Sequence, residues 1–242
     1  MGRLRALDSL DADWGALPVF PALKPQAKSP SEGLIERRFE AAQSLVVSKL
    51  APGFDDECVE GLRRIVDDVV AGRRGSIKFL VFDFAHHMTR DSEAGEGFGR
   101  LINAVANLVV NVPVVAVASV RADITGADLE LALACNLMIA EASRQFLFGA
   151  DPTVSLATYG FLSQKIGFVR AEQLMEGAVL DAGEMRDLLL VKAVMPDGAG
   201  FAGIEQQLSR SVRRHNSTYG IYRAQRIAHP ALSSMLDEAR IA

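Results

Sequence analysis

Apolar and polar positions alternate in blocks through the middle of the chain, and the period changes from block to block. Glu40–Leu50 reads as a strand, with Val46, Val47 and Leu50 as its apolar positions. Ala51-Pro52-Gly53 is a turn, and Asp55 or Asp56 stands where a helix cap belongs. Leu62, Ile65, Val66, Val69 and Val70 then recur at i, i+3, i+4, i+7 and i+8, one face of a helix that Gly72 and Gly75 end. Ile77 to Phe84 is a mostly apolar run that predicts a central strand. Phe98–Val110 returns to helical spacing, with Leu101, Ile102, Val105, Leu108 and Val109 inward. Strand, helix, strand, repeated, predicts an α/β fold whose parallel strands are joined by right-handed crossovers and stack into a spiral core.

The rest of the chain is organised around Val112–Ala142. Val112 to Ala118 is an apolar, β-branched run suited to a strand buried on both faces. Arg121 to Asp128 is mostly polar, a helix begins at Leu129, and Leu137–Ala140 is strand-like again. The anomaly is Glu130, a carboxylate inside Leu-Glu-Leu-Ala-Leu-Ala. Burying an unpaired charge is costly and raises a carboxyl pKa, so Glu130 is a candidate general acid or base. A rim position or an ion pair would explain it equally well. The N–H groups of Gly126, Ala127 and Asp128 have no intrahelical partner at such a helix start and can hold a developing negative charge.

The loop after the Ile77–Phe84 strand is a second candidate. It holds His86, His87, Arg90, Asp91, Glu93 and Glu96. Adjacent histidines point apart in an extended chain, so they are a poor metal pair. Either this is a solvated loop, or His86 or His87 contacts substrate and titrates near neutral pH.

Beyond Ala142, Gln145–Phe148 reads as a short strand and Thr158–Ile166 as a helix capped by Thr158. Tyr159 and Phe161 either line a pocket or belong to the core. Arg170–Glu176 and Ala182–Leu189 are further helices, and Met195-Pro196-Asp197-Gly198 closes the core. Residues 200–242 are helical in pattern, with Ile204, Leu208 and Val212 on one face. Arg210, Arg213, Arg214 and His215 form a basic cluster, either a solvated face or a phosphate or partner contact. Residues 1–33 carry Pro18, Pro21, Pro25 and Pro30 and hold no period; they read as a partly ordered extension, with Trp14 and Phe20 available to dock. The organisation is therefore an extension over 1–33, a core over 34–199 and a helical region over 200–242.

Composition narrows the classes. With 49% apolar and 23% charged residues, the 242-residue chain is of ordinary globular make-up. A net charge of −4 argues against a nucleic-acid binder. No run of about 20 apolar residues predicts a membrane span. Arg3 and Arg5 are not followed by the apolar segment of a signal peptide, so the expected compartment is the cytoplasm. The two cysteines, Cys58 and Cys135, suggest a reducing compartment and lack metal-ligand spacing.

Val112-Pro113-Val114-Val115-Ala116, Gly126-Ala127-Asp128-Leu129-Glu130-Leu131-Ala132 and Ala134-Cys135-Asn136 together resemble the crotonase (enoyl-CoA hydratase/isomerase) superfamily. The likeness runs on through Phe148-Gly149, Ala171–Gly177 and Val191–Asp197, and covers roughly Phe39 to Pro196. Tyr159–Ile166 looks most like the branch that makes diffusible fatty-acid signals. The resemblance implies a crotonase-like spiral of β-β-α units, an acyl-CoA or acyl-carrier thioester as substrate, and no cofactor beyond the coenzyme A of that substrate. It implies hydration, isomerisation or thioester hydrolysis in a homotrimer or hexamer, with the C-terminal helices building the interface. It carries Glu130 over as the first catalytic glutamate and Ala127, in a turn where the family has Gly-Gly-Gly, as one oxyanion donor. The second donor falls in the His86 loop, with Gly126, His87, Tyr159 and Phe161 around the substrate. The family's second glutamate follows a Phe-Gly segment; here the text is Phe148-Gly149-Ala150-Asp151-Pro152, so Asp151 is the nearest replacement. The departures keep open a catalytically silent crotonase fold with a binding, scaffolding or regulatory role.

Overall fold

The computed structural model describes residues 33–49, 53–86, 97–149 and 156–228. The expectations for residues 1–32, for Leu50, Ala51 and Pro52, for His87, Arg90, Asp91, Glu93 and Glu96, for Asp151 and for the end of the C-terminal region lie outside them.

The chain opens with β1 (Leu34–Phe39) and β2 (Ser44–Lys49), followed by α1 (Asp56–Val70), β3 (Phe79–Phe84), α2 (Phe98–Asn111), β4 (Val115–Val120), α3 (Gly126–Ala134) and β5 (Leu137–Glu141). It continues with β6 (Gln145–Leu147), α4 (Leu156–Ile166), α5 (Phe168–Met175), β7 (Val179–Asp181), α6 (Ala182–Asp187), β8 (Ala193–Met195), α7 (Gly200–Val212) and α8 (His215–Ala228). The main sheet has the order β1-β2-β3-β4-β5-β8. β1 runs antiparallel to β2, and every other pairing in this sheet is parallel. β6 and β7 form a small antiparallel second sheet.

The unbroken apolar runs follow from this arrangement. Every residue of β2, β3, β4 and β5 is buried, because helices cover both faces of the sheet. Alternate side chains feed two cores. Val47, Leu80, Phe82, Ala116, Ala118 and Met138 join the larger core with residues of α1, α2 and α3. Val46, Phe79, Val81, Val115, Val117 and Ile139 join the smaller core, closed by Ile204 and Leu208 of α7. Full burial of one such side chain contributes about 1.5–3 kcal/mol before conformational entropy is charged against it.

The structure moves several expected boundaries. Glu40–Gln43 is a turn, closed by the Gln43 N–H to Glu40 O bond at 3.1 Å, so the strand starts at Ser44. Leu34–Phe39 is an added edge strand in which Leu34 alone is fully buried; its charged residues suit an edge. Val70 of the expected apolar face is exposed, whereas the Asp55 carboxylate caps α1 by accepting from the Cys58 N–H at 2.7 Å. α3 begins at Gly126, three residues before Leu129. Thr158 is a buried residue inside α4, not its cap.

Candidate active site

Parallel strands send their loops out at one edge of the sheet, where sites form in such folds. β3 ends there in Ala85 and His86, and the neighbouring β4 runs into Arg121–Thr125. The Arg121 N–H donates to Phe84 O at 2.8 Å and keeps the two exits together. Ile124 is clamped on β6, its N–H donating to Gln145 O and its carbonyl accepting from Leu147 N–H, both at 3.0 Å. The Asp123 carboxylate accepts from Gln145 N–H at 2.9 Å. The chain then turns into α3 at Gly126, whose φ of +49° lies in the left-handed region that glycine tolerates.

Thr125 occupies the N-cap position of α3 but does not cap it. Its hydroxyl donates to Leu147 O at 3.1 Å instead. The first bond of the helix runs from Leu129 N–H to Thr125 O at 3.3 Å. Gly126, Ala127 and Asp128 therefore precede the helical ladder, and the cap side chain satisfies none of their amides. Such a first turn is a ready donor set for a negative oxygen.

Around it, Gly126 and Ala127 are half-buried, and Ala127 packs on the larger core. Glu130 is half-buried on the same helix, flanked by the core residues Leu129 and Leu131. His86 is exposed just beyond β3. Tyr159 is half-buried, its ring 6.5 Å from that of Phe168, and Phe161 is wholly buried in the larger core. Cys58 and Cys135 are both buried. Burial pushes the Cys58 thiol up to about 11, so it stays protonated and unreactive at neutral pH. Among the described residues, no group of three His, Cys, Asp or Glu side chains could hold a metal ion.

The fully buried carboxylate of this helix is Asp128, not Glu130. Lys49, 7% exposed at the end of β2, donates to Asp128 Oδ1 at 2.5 Å and to Gly53 O at 3.1 Å. Its ammonium also lies 3.8 Å from the centre of the Phe54 ring. Burial pushes the Asp128 carboxyl above the usual range, against the pull of the Lys49 ammonium. Asp128 Oδ2 is buried and makes no hydrogen bond among the described residues. A cavity of about 10 Å³ adjoins Lys49, lined by Val47, Lys49, Phe54, Phe82 and Leu131 among others. No local signal in the sequence pointed to this pair; its members are 79 residues apart.

On the opposite face of the sheet, Asp83 is buried and anchors a second polar group. It accepts from Ser48 Oγ at 2.6 Å and from Arg121 Nε and Nη2, each at 2.7 Å. The hydrogen bonds to Asp83 raise the Arg121 pKa further, so this guanidinium is permanently charged. The Phe201 ring of α7 lies 4.8 Å from the Arg121 guanidinium and 4.2 Å from that of Arg37.

No family model and no curated protein sequence matches the chain. Solved structures do. A structure of DspI from Pseudomonas aeruginosa superposes with a TM-score of 0.68 at 20% identity, over 90% of this chain and 89% of that one. An enoyl-CoA hydratase from Mycobacterium avium subsp. paratuberculosis gives 0.68 at 21% identity, over 89% of this chain and 100% of that one. A monofunctional enoyl-CoA isomerase from M. smegmatis gives 0.63 at 21% identity, over 86% and 98%. The chain has the crotonase fold of these enoyl-CoA hydratases and isomerases, a mixed α/β architecture around a largely parallel sheet.

Proposed function

We propose that the protein is an acyl-thioester enzyme that seats the thioester oxygen against the first turn of α3. The observation that carries this reading is the uncapped helix start at the C-terminal edge of the sheet, where Thr125 spends its hydroxyl on Leu147 O. Ala127 N–H is the assigned donor, and the loop that begins at His86 supplies the other. Oriented amides stabilise an enolate as it forms, and one such donor is worth about 2.7–4 kcal/mol of barrier. Glu130, on the same helix, moves the proton or orients the water. Asp151 or a histidine of the His86–His87 loop serves as its partner. The likeness to enoyl-CoA hydratases and isomerases, together with the resemblance of Tyr159–Ile166 to the branch that makes diffusible fatty-acid signals, supports a fatty-acyl substrate. Coenzyme A or a carrier protein brings the acyl group. Phe168, Val169, Val179 and Leu189 are exposed apolar residues suited to a subunit interface of a trimer or hexamer. No described helix is long and apolar enough to cross a membrane.

One observation favours a second reading, a binding or scaffolding protein on the same fold. Lys49 is drawn onto Asp128 of the turn, and the cavity that adjoins Lys49 has room for no more than one water. Turnover of a short-chain and a long-chain enoyl-CoA, with Glu130→Gln alongside, separates the two. Loss of turnover in a folded variant that still binds acyl-CoA supports the enzyme. Absence of both turnover and acyl-CoA binding in the wild type refutes it.

A further inference from the structure

We infer that Lys49 and Asp128 are a positioning pair that holds the Ala127 amide on the thioester oxygen; this rests on the acyl-thioester reading above. Ala127 sits between two pins. Thr125 is tied to Leu147 O on one side, and Asp128 is tied to Lys49 Nζ on the other. Lys49 is itself immobilised by Gly53 O and the Phe54 ring, so it is a fixed post at the end of β2 and not a swinging side chain.

Stability alone does not account for such a pair. Two charges lose their hydration when buried, and apolar residues of similar volume commonly do as well or better. Among the described residues, Asp128 even leaves Oδ2 without a hydrogen bond. What an ion pair supplies and packing does not is direction and distance. A catalytic donor needs both, since a displacement of about 1 Å can cost on the order of a hundredfold in rate. Asp128 stands in the turn where the resemblance has only glycines, so here a tether replaces a bare backbone turn.

The test uses an arylacryloyl-CoA whose conjugated thioester absorbs at longer wavelength when hydrogen bonds draw charge onto its carbonyl oxygen. The full-length wild-type protein is expected to bind it with a red shift. Lys49→Met/Asp128→Leu removes the tether without leaving a lone buried charge. It is expected to bind the probe with similar affinity, lose most of the red shift, and turn over substrate about tenfold or more slower with KM little changed. Asp128→Asn keeps the shape of the side chain and should lose part of the shift, so the question does not depend on the double variant folding. A full red shift in either folded variant overturns the inference and leaves the acyl-thioester reading standing. A wild-type protein that binds no acyl-CoA overturns that reading, and the inference with it.

Discussion

Lys49→Met is the sharpest perturbation of the fold that these contacts allow. Methionine matches the length of the lysine stem and removes the ammonium alone. At 2.5 Å the Lys49–Asp128 attraction is about 7 kcal/mol gross at an effective dielectric constant of about 20, most of it offset by the hydration both groups gave up. Removing one partner restores no hydration to the other, so the expected loss is about 3–5 kcal/mol. For a chain of this size that lowers Tm by roughly 6–20 °C. The loss must depend on pH. In the wild type, Asp128 titrates above the ordinary carboxylate range, so folding favours its protonated form and this group's contribution declines as pH rises through its native pKa. In Lys49→Met the opposing cation is gone and the pKa rises further. Below it the carboxyl is neutral and the buried charge disappears, so the deficit is full above that pKa and shrinks as pH falls through it. Urea unfolding of both proteins from pH 5 to 8 measures it. Lys49→Met/Asp128→Leu should come back to within about 1–2 kcal/mol of the wild type. A deficit below about 1 kcal/mol at pH 8, or one that does not change with pH, would show a hydrated pair and refute the burial argument.

Three further outcomes follow from other contacts. Asp83→Ala strands the Arg121 guanidinium and Ser48 hydroxyl, and should cost about 3–5 kcal/mol in urea unfolding. At Gly149, with φ +65°, an added Cβ would lie 2.5 Å from Met175 O; Gly149→Ala should therefore lose at least about 1–3 kcal/mol, read as a fall in Tm by circular dichroism. Burial holds the His215 imidazole below its usual pKa, so the unfolded chain takes up a proton below about pH 6.5 that the folded chain resists. Stability should fall as pH drops through that window, and His215→Phe should flatten the slope; an unchanged slope would place the titration elsewhere.

The strand–helix alternation from β2 to β5 was legible because parallel strands covered on both faces keep only apolar residues. Phe79–Phe84 and Val115–Val120 carry that signature at full strength. β1 was missed because LIERRF buries one side chain at a sheet edge and shows its charges to water. β7 and β8 have three residues each, too few for any period to show. The helix start was misplaced by three residues because Gly126-Ala127-Asp128 looks like loop by composition, whereas the fold needs a polar first turn there. Glu130 drew attention as the charge among leucines, yet a helix side chain's burial is set by its face, and the enclosed face belongs to Asp128. Its partner Lys49 ends a strand and reads locally as a solvated cap; only the pairing of distant elements reveals a buried ammonium.

Residues 48 and 49 then explain how one strand end serves both faces of the sheet. Successive side chains of β2 point to opposite sides. Ser48 goes to Asp83, which also holds Arg121, on the α7 side, and Lys49 goes to Asp128 on the helix side. The segment that leads to Ala127 is thereby held at its start by Arg121 on Asp83, in its middle by Ile124 and Thr125 on β6, and at its end by Asp128 on Lys49. A one-residue slip of β2 would exchange the two faces, break the last of these anchors and take the Ser48 hydroxyl away from Asp83, the partner of the first. The register Val47↔Phe82 and Ser48↔Asp83 is therefore a condition of the site as much as of the core. The Glu141 carboxylate, at the same edge, accepts from Gly200 N–H at 3.3 Å and ties the start of α7 to it. Damage to the α7 face should therefore reach the α3 turn through Arg121, which meets the Phe201 ring and Asp83 together.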